Sequence, residues 1–535
     1  MANLSILWAD DEIDLLAPHL SFLESKGYLT TPVNNGLEAL QRAADEDFDL
    51  VLLDENMPGL SGLETLSRLK EIKPLMPVIM VTKSEEELLM EEAIGSKIAD
   101  YLIKPVHPKQ LLSAILKVTD QKRLVARKTN EAYRDDFGEL GMSMSDQLDA
   151  AQWAELYQRL VRWELDLEES GDEGMKEVFA MQKAEANRLF VRFIKKNYAS
   201  WFAGTLNTKG MAIPAKQPQS VQGAPTLSHQ LLQRKLLPIL DQYPKVLMLL
   251  IDNFRLDQFR VIEPILGEFY RALEVETYYS ILPTSTEYAR NALFAGMPPA
   301  EIVRRYPDRW WSDQDEHSHN MHESFFLGEW LKRNGRNPAH GYQKITSLAQ
   351  AKQSLENANG GLSQPLEVLV YNFVDMLSHA RSEMNIIKEL AEDEAAYRSI
   401  TRSWFQHSPL LDYLQKAAAR GYTLVLTTDH GMIKVQDPVR ISGDREMSNN
   451  LRYKEGRNLQ IQDDLVYTIQ QPEQVQLPRK HLNSVYILAG SDQFFCYPNN
   501  FHQYASLYRD SFQHGGISLE ECIVPLAVFR PREGV

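Results

Sequence analysis

Residues 245–252, KVLMLLID, form an apolar run that ends at an acidic side chain. A continuous apolar run of this length is typical of a parallel strand that is buried on both faces. The same arrangement recurs twice, where apolar runs lead to Asp375 and to Asp429-His430. Because the carboxyl ends of parallel strands meet at one edge of a sheet, we expect these residues to form one site.

Length and composition exclude several classes of protein. The chain has 535 residues, of which 44% are hydrophobic, so roughly two to four domains with full cores are expected. The net charge of -16 disfavours broad binding to nucleic acid or to anionic membranes. Cys496 and Cys522 are the only cysteines, and neither a signal-peptide pattern nor a membrane-length apolar run occurs. We expect a reduced, cytoplasmic protein without membrane insertion.

The pattern of apolar residues predicts an α/β multidomain chain. Residues 1–120 alternate strand-sized apolar runs with helical patterns, which predicts a doubly wound sheet of the flavodoxin-like kind. Residues 121–206 place apolar side chains at helical spacing and predict a helical bundle or connector. Residues 207–226 are rich in Pro, Gly, Gln and Ser and predict a linker. From residue 227 to 535 the βα alternation resumes and predicts a large α/β domain.

Five polar elements occur in order within residues 1–120, each after an apolar run: Asp10-Asp11, Asp54, Thr82, Tyr101 and Lys104-Pro105. In this respect the region resembles a response-regulator receiver domain. The resemblance implies a Mg²⁺ held by Asp10, Asp11 and Asp54, with Asp54 as the phosphoacceptor. It also implies that Lys104 is the phosphate-binding cation, that Pro105 follows a cis peptide bond, and that Thr82 and Tyr101 form the switch.

One residue departs from the receiver pattern. Lys83 follows Thr82 where the family usually has a small residue. A long cation at this position is expected to change the phosphoryl pocket, and with it the rate and lifetime of phosphorylation.

The acidic strand ends of residues 227–535 carry metal-ligand chemistry. His379 is the fourth residue after Asp375, and this i, i+4 spacing places both on one face of a helix or turn. Asp429-His430 adds a carboxylate and an imidazole at a strand end. This mixture of ligands suits Zn²⁺ or Mn²⁺ better than Mg²⁺ or Ca²⁺.

Residues 227–535 resemble the PglZ branch of the alkaline phosphatase superfamily, and His514-Gly515-Gly516 is characteristic of that branch. The resemblance implies two Zn²⁺ ions and a threonine nucleophile. The first ion is assigned to Asp252, Thr286, Asp429 and His430, and the second to Asp375, His379 and His514.

The nucleophile is assigned within Leu282-Pro283-Thr284-Ser285-Thr286, which resembles the corresponding turn of nucleotide phosphodiesterases. Thr286 is the expected nucleophile, and Ser285 and Thr284 remain alternatives. Asn253, Glu287 and Tyr288 depart from the phosphodiesterase pattern and leave the substrate open.

Other polar residues carry weaker signals. A metal tract without a recognisable template is suggested by Glu316, His317, His319, His322 and Glu323. Trp310-Trp311 suits either base stacking or buried packing. Arg290 and Asn291 suit either phosphate binding or a helix-capping or surface role.

The order of receiver, helical segment and PglZ domain resembles PorX-type response regulators of Bacteroidetes, which control type IX secretion. The leading hypothesis is a response regulator, phosphorylated by a sensor histidine kinase, whose output is a two-zinc phosphodiesterase. It implies nucleotide or oligonucleotide substrates and a homodimer promoted by phosphorylation. The alternative is a metal-stabilised module that binds a sigma factor or secretion component. A direct transcription factor is disfavoured because no helix-turn-helix or basic recognition helix is apparent.

Overall fold

The structure is a computed structural model. It describes residues 4–73, 76–83, 98–145, 147–202, 223–310, 321–372, 393–442, 450–457, 459, 461 and 463–532, with the backbone alone at 119–127 and 357–361. Two compact units are present: Met1–Arg134 with Glu169–Asp172, and Asp135–Glu168 with Glu173–Val535.

The first unit is built on parallel strands, as the sequence predicts. Its strands are β1 (Ser5–Ala9), β2 (Leu29–Val33), β3 (Leu50–Asp54), β4 (Val78–Thr82) and β5 (Asp100–Ile103). The described residues form one sheet of order β2-β1-β3-β4-β5 in which every pair is parallel. This is the flavodoxin-like order, so the expected fold of the receiver region is confirmed.

Both faces of this sheet are buried, which explains the continuous apolar runs. Leu7 and Leu53 belong to one hydrophobic cluster, whereas Ile6, Trp8 and Leu52 belong to a second. Because side chains alternate across a strand, the two clusters lie on opposite faces. The flanking helices are Ala17–Ser25, Gly36–Asp45, Gly62–Ile72 and the start of Pro108–Ser143.

The second unit contains a larger mixed sheet. Its strands are β6 (Val246–Ile251), β7 (Tyr270–Tyr279), β8 (Gly341–Ile345), β9 (Leu366–Tyr371), β10 (Thr423–Thr427) and, at the carboxyl end, a strand Ile523–Pro531. Neighbouring pairs among β8, β9, β6 and β10 are parallel in the described residues, and the last strand pairs antiparallel with β10 and β7. The order β9-β6-β10 therefore brings the carboxyl ends of these three strands to one edge. Asp252 follows β6 and Asp429 follows β10 at this edge, whereas Asp375 lies outside the described residues.

Shorter strands complete this unit: β11 (Ile433–Lys434), β12 (Asp437–Arg440), β13 (Tyr453–Gly456), β14 (Tyr467–Ile469), β15 (Val485–Leu488), β16 (Gln493–Cys496) and β17 (Phe512–Gln513). Ile523–Pro531 is then β18. The helices from residue 227 onward are Leu237–Gln242, Leu256–Leu266, Thr286–Ala295, Pro299–Arg305, Glu323–Arg333, Leu348–Gly361, Glu394–His407, Pro409–Ala419, Phe501–Tyr508 and Leu519–Cys522.

The middle segment is helical, as predicted, with helices Ala150–Ser170 and Glu173–Asn197. Helix Pro108–Ser143 runs through residue 120 without a break, so the boundary expected there falls inside a helix. The expected linker at 207–226 lies almost entirely outside the described residues, which resume at 223.

The middle helices pack into the second unit through an aromatic cluster. Phe190 lies 5.3 Å from Trp153 and 6.3 Å from Tyr279 of β7, measured between ring centroids. The Tyr279 hydroxyl also donates a hydrogen bond to the carbonyl oxygen of Ala150 over 2.7 Å. The helical segment is thus part of the same folded body as the large sheet.

Buried charges join the same helices to the rest of the unit. Lys183 lies 2.9 Å from Glu164, 3.1 Å from Glu394 and 3.1 Å from Glu520, measured from its Nζ atom. Burial alone lowers the pKa of Lys183, but the three carboxylates outweigh burial and raise that pKa well above its ordinary value. Removal of one member of such a buried cluster leaves charge uncompensated, so the helices depend on all of its members being present.

Replacing Lys183 by Met tests this charge cluster. The substitution removes the cation shared by three carboxylates, of which Glu520 has Lys183 as its nearest ion-pair partner, so we expect a loss of about 3–5 kcal/mol in the stability of the unit. The measurement is the thermal midpoint of the full chain. The matched control is Lys176→Met on the same helix, because Lys176 forms an exposed pair with Glu173 and should change stability by less than about 1 kcal/mol. Equal midpoints for the two variants would contradict this role of Lys183.

Candidate functional site

The predicted receiver residues come together at the carboxyl edge of the first sheet. Asp10 follows β1 and Asp54 ends β3, and both are fully buried, whereas Asp11 is exposed. One carboxylate oxygen from each of the three lies within 4.8 Å of the others. Lys104 places its Nζ atom 2.9 Å from an oxygen of Asp10 and 2.9 Å from an oxygen of Asp54.

The carboxyl groups of this cluster outnumber its one lysine, so a bound cation would balance the remaining negative charge. Burial raises the pKa of Asp54, and Lys104 opposes that shift without cancelling it. Burial also lowers the pKa of Lys104, but its hydrogen bonds to Asp10 and Asp54 outweigh burial and raise that pKa. One lysine faces three carboxyl groups, and hard oxygen ligands of this kind suit Mg²⁺.

The remaining receiver residues occupy the neighbouring strands. Thr82 ends β4 and is buried, and its carbonyl oxygen accepts the backbone N–H of Lys104 over 2.7 Å. Tyr101 in β5 exposes 47% of its surface, so the aromatic ring is accessible from solvent. The Lys104-Pro105 bond is cis, as the resemblance implies. Lys83, the departure from the family pattern, is exposed.

The second site forms where β6 and β10 end side by side. Asp252 follows β6, and Asp429 and His430 follow β10 after Thr428. All three are buried, and one ligand atom from each lies within 4.8 Å of the others. Two carboxylates and one imidazole at this spacing match the donor set expected for Zn²⁺ or Mn²⁺.

Hydrogen bonds between the two strand ends fix the carboxylate of Asp429. Its Oδ1 atom accepts the backbone N–H of His430 over 3.1 Å and that of Asn253 over 3.4 Å. The Thr428 hydroxyl in turn accepts the backbone N–H of Phe254 over 3.1 Å. Asn253 adopts a left-handed φ of 61°, which Asn tolerates better than most residues other than Gly.

His430 is oriented by two contacts. Its Nδ1 atom lies 3.1 Å from the carbonyl oxygen of Gly431, and its Nε2 atom lies 3.1 Å from Oγ1 of Thr286. A carbonyl oxygen only accepts, so this geometry assigns the proton of a neutral ring to Nδ1. The unprotonated Nε2 then faces the threonine hydroxyl and the site.

The structure distinguishes among the three hydroxyl residues of the expected nucleophile turn. Thr286 begins helix Thr286–Ala295, where the helix dipole favours negative charge, and its hydroxyl faces His430. The Thr284 hydroxyl instead donates to the carbonyl oxygen of Gly516 over 2.8 Å and accepts the N–H of Gly515 over 3.1 Å. Ser285 is almost fully buried as the N-cap residue of the helix. The geometry therefore favours Thr286.

Only part of the expected second metal site can be located. The His514 ring stacks on His430 with centroids 4.4 Å apart, and its Nδ1 atom lies 3.3 Å from the carbonyl oxygen of Thr284. His514 thus borders the first ligand cluster. Asp375 and His379, its expected partners, lie outside the described residues.

Arg290 takes a place that the sequence alone did not indicate. Its side chain is fully buried, its Nε atom lies 2.9 Å from Oδ2 of Asp429, and its Nη2 atom contacts Oδ1 of Asp252. Burial raises the pKa of Asp429, but Arg290 and His430 outweigh burial and hold that pKa below its usual range. A surface role is therefore wrong for Arg290. The available signal was its helical spacing of four residues from Thr286.

Some of the weaker candidates make packing or hydrogen-bond contacts within the fold, and the others lie outside the described residues. Trp310 is buried and lies 5.6 Å from the ring of Tyr288, so it serves in packing. Asn291 donates from its side chain to the carbonyl oxygen of Glu287 over 2.9 Å. His322 contacts Arg309 at 3.1 Å. Glu316, His317, His319 and Trp311 lie outside the described residues.

Among the described residues, no helix combines the length and the apolarity that a membrane span requires.

Three family models match the chain in consecutive order. The response regulator receiver domain matches residues 6–116, and the PorX response regulator linker domain matches residues 123–202. The BREX system PglZ alkaline phosphatase-like domain matches residues 231–529. Membership of the alkaline phosphatase superfamily suggests a hydrolase.

Curated relatives resemble the amino-terminal quarter of the chain. The transcriptional regulatory protein ZraR of Klebsiella oxytoca is 34% identical over 141 residues, which are 26% of this chain and 32% of that protein. The alkaline phosphatase synthesis transcriptional regulatory protein PhoP of Bacillus subtilis is 31% identical over 136 residues, 25% of this chain and 55% of that protein. The chain thus spans about a third to about half the length of these relatives.

Solved structures cover the same quarter. A CheY-like receiver domain protein from Methanospirillum hungatei is 31% identical and covers 22% of this chain and 96% of that one, with a TM-score of 0.21. The response regulator TrrA from Thermotoga maritima, in complex with Mg²⁺ and BeF, is 28% identical and covers 22% and 98%, with a TM-score of 0.20.

The three family models confirm the expected order of receiver, helical segment and PglZ domain, which is the PorX-type arrangement of a two-component regulator. Since the PglZ model alone spans more than half of the 535 residues, the chain belongs to the family of PglZ alkaline phosphatase-like proteins.

Proposed function

We propose that this regulator is a phosphorylation-controlled hydrolase whose PglZ domain is a two-zinc phosphodiesterase. The observation that carries the proposal is the convergence of Asp252, Asp429, His430 and Thr286 on one sheet edge. Bound zinc would supply positive charge that acidifies a hydroxyl and stabilises phosphoryl oxygens. Asp252, Asp429 and His430 would hold the first ion together with the Thr286 hydroxyl, and His514 with Asp375 and His379 would hold the second.

The chain's own residues then account for a two-step displacement. The Thr286 oxygen attacks phosphorus in line, which forms a threonine–phosphorus ester and expels one alcohol, and the hydroxyl proton leaves with that alcohol. Water next cleaves the threonine ester, releases a phosphate monoester and restores the hydroxyl. The amino end of helix Thr286–Ala295 favours negative charge beside Thr286 throughout.

The substrate class follows from the turn that holds Thr286. This turn is similar to that of nucleotide phosphodiesterases, so we propose nucleotide or oligonucleotide phosphodiesters as substrates. Phosphodiesters carry one negative charge at the reacting phosphate, which limits its repulsion by the carboxylates of Asp252 and Asp429.

Control would begin at Asp54 of the receiver domain. We propose that a sensor histidine kinase supplies the phosphoryl group, which Asp54 accepts as an acyl phosphate while Lys104 balances the charge. Thr82 and Tyr101 would respond, and the phosphorylated chain would form a homodimer. The match to the PorX linker model supports a cytoplasmic regulator that controls type IX secretion.

A second candidate function is a metal-stabilised module that binds a sigma factor or a secretion component. Arg290 favours it, because the guanidinium already balances Asp252 and Asp429 within the fold. A site with an internal counter-charge can persist without turning over a substrate.

Hydrolysis of bis(p-nitrophenyl) phosphate separates the two functions. With added Zn²⁺, we expect the wild-type protein to be active and Thr286→Ala to lose at least about 100-fold in kcat, because the nucleophile is gone. Ser285→Ala is the matched control, with an adjacent hydroxyl removed, and should stay within a few-fold of wild type. Equal activity of Thr286→Ala and wild type would exclude Thr286 as the nucleophile. A zinc-loaded wild type without any hydrolysis would favour the binding module.

Light scattering tests the proposed control. Beryllofluoride with Mg²⁺ mimics the aspartyl phosphate, so we expect it to shift the mass of the full chain towards twice the 61.3 kDa monomer. Asp54→Asn should remain unshifted because it offers no carboxylate to the mimic. A wild-type mass that does not change would argue against assembly driven by phosphorylation.

A further inference from the structure

We propose that Arg290 is a positioning residue of the metal site, which holds Asp252 and Asp429 at the separation that a metal ion requires. This inference rests on the proposed function only in that the two carboxylates bind metal. It does not depend on hydrolysis or on the identity of the substrate.

The guanidinium bridges the two strand ends. Its Nε atom lies 2.9 Å from Oδ2 of Asp429, and its Nη2 atom contacts Oδ1 of Asp252. The two aspartates belong to loops after different strands, β6 and β10. Arg290 therefore joins carboxylates that are distant in sequence, and a carboxylate can bind a metal while it accepts hydrogen bonds from a neighbouring donor.

Charge explains why a cation is needed at this position. Asp252 and Asp429 are both buried, and two ionised carboxylates at this distance repel each other. A guanidinium stays protonated in proteins, and its planar fork can bind two acceptors at once. A lysine ammonium carries the same charge but presents it as a point, so it cannot reproduce the fork.

The outer side of Arg290 is also fixed. Its Nη1 atom lies 4.0 Å from Oε1 of Glu323, which is buried, and Lys344 pairs with the same oxygen over 2.8 Å. Charges thus alternate from the aspartates through Arg290 and Glu323 to Lys344, which keeps 26% of its side chain exposed. This alternation surrounds the buried guanidinium with carboxylates on both sides.

One helix carries both Arg290 and the proposed nucleophile. Thr286 and Arg290 are four residues apart in helix Thr286–Ala295, so they lie on the same face of it. Contact of Arg290 with the aspartates therefore also fixes the helix end that presents the Thr286 hydroxyl. We expect loss of Arg290 to weaken metal binding first and catalysis in consequence.

The test is the zinc affinity of the full chain, measured by competition with a chelating fluorophore. We expect Arg290→Met to raise the zinc dissociation constant about 10- to 100-fold, as loss of an outer partner of a metal ligand does. Arg290→Lys should restore part of this loss because it keeps the charge without the fork. The matched control is Arg304→Met, because Arg304 is a mostly exposed arginine paired with Glu301 and should leave zinc affinity unchanged.

The outcomes separate this inference from the proposed function. Wild-type zinc affinity in Arg290→Met overturns the inference, whatever the protein hydrolyses. A wild type that binds zinc without hydrolysis overturns the proposed phosphodiesterase and leaves the inference intact. If Arg290→Met does not fold, Arg290→Lys decides, with zinc binding measurably weaker than that of the wild type in support and wild-type affinity against.

Discussion

The repulsion between two buried carboxylates, Asp252 and Asp429, is the constraint around which the second site is organised. Parallel strands β6 and β10 bring these groups to one edge, where burial strengthens their repulsion. Arg290 supplies a fixed positive charge between them, and His430 places its Nε2 atom 3.1 Å from Oγ1 of Thr286. The contacts of Arg290 and His430 thus connect the two strand ends, the buried carboxylates and the candidate nucleophile.

The same principle extends from the site to the middle helices. Glu520, which pairs with Lys183, belongs to a turn that lies directly against Gly431, the residue after His430. The Gly431 N–H donates to the carbonyl oxygen of Glu521. A Cβ atom at position 431 would lie only 2.0 Å from the carbonyl oxygen of Glu520. The PorX-type linker segment is therefore a structural support of the loop that carries His430.

The sequence predicts the strand ends because local patterns determine them. An apolar run that ends at an acidic residue can be recognised in the sequence alone. Parallel strands then place such ends side by side, as they do for Asp252 and Asp429. Arg290 and Lys183 are different, because a charged residue within an amphipathic helix resembles a solvated one until its distant partners are known. Their buried roles depend on tertiary pairing. The sequence pattern likewise did not predict that helix Pro108–Ser143 continues through residue 120, because a domain boundary and a helix boundary need not coincide.

The proposed two-step displacement requires a covalent bond between Thr286 and phosphorus during turnover. The direct measurement is mass spectrometry of the peptide containing Thr286, after rapid acid quench of the zinc-loaded protein turning over bis(p-nitrophenyl) phosphate. We expect an adduct on Thr286 that retains phosphorus and one nitrophenyl group. Steady turnover through an unmodified Thr286, or an adduct on another residue, would contradict it.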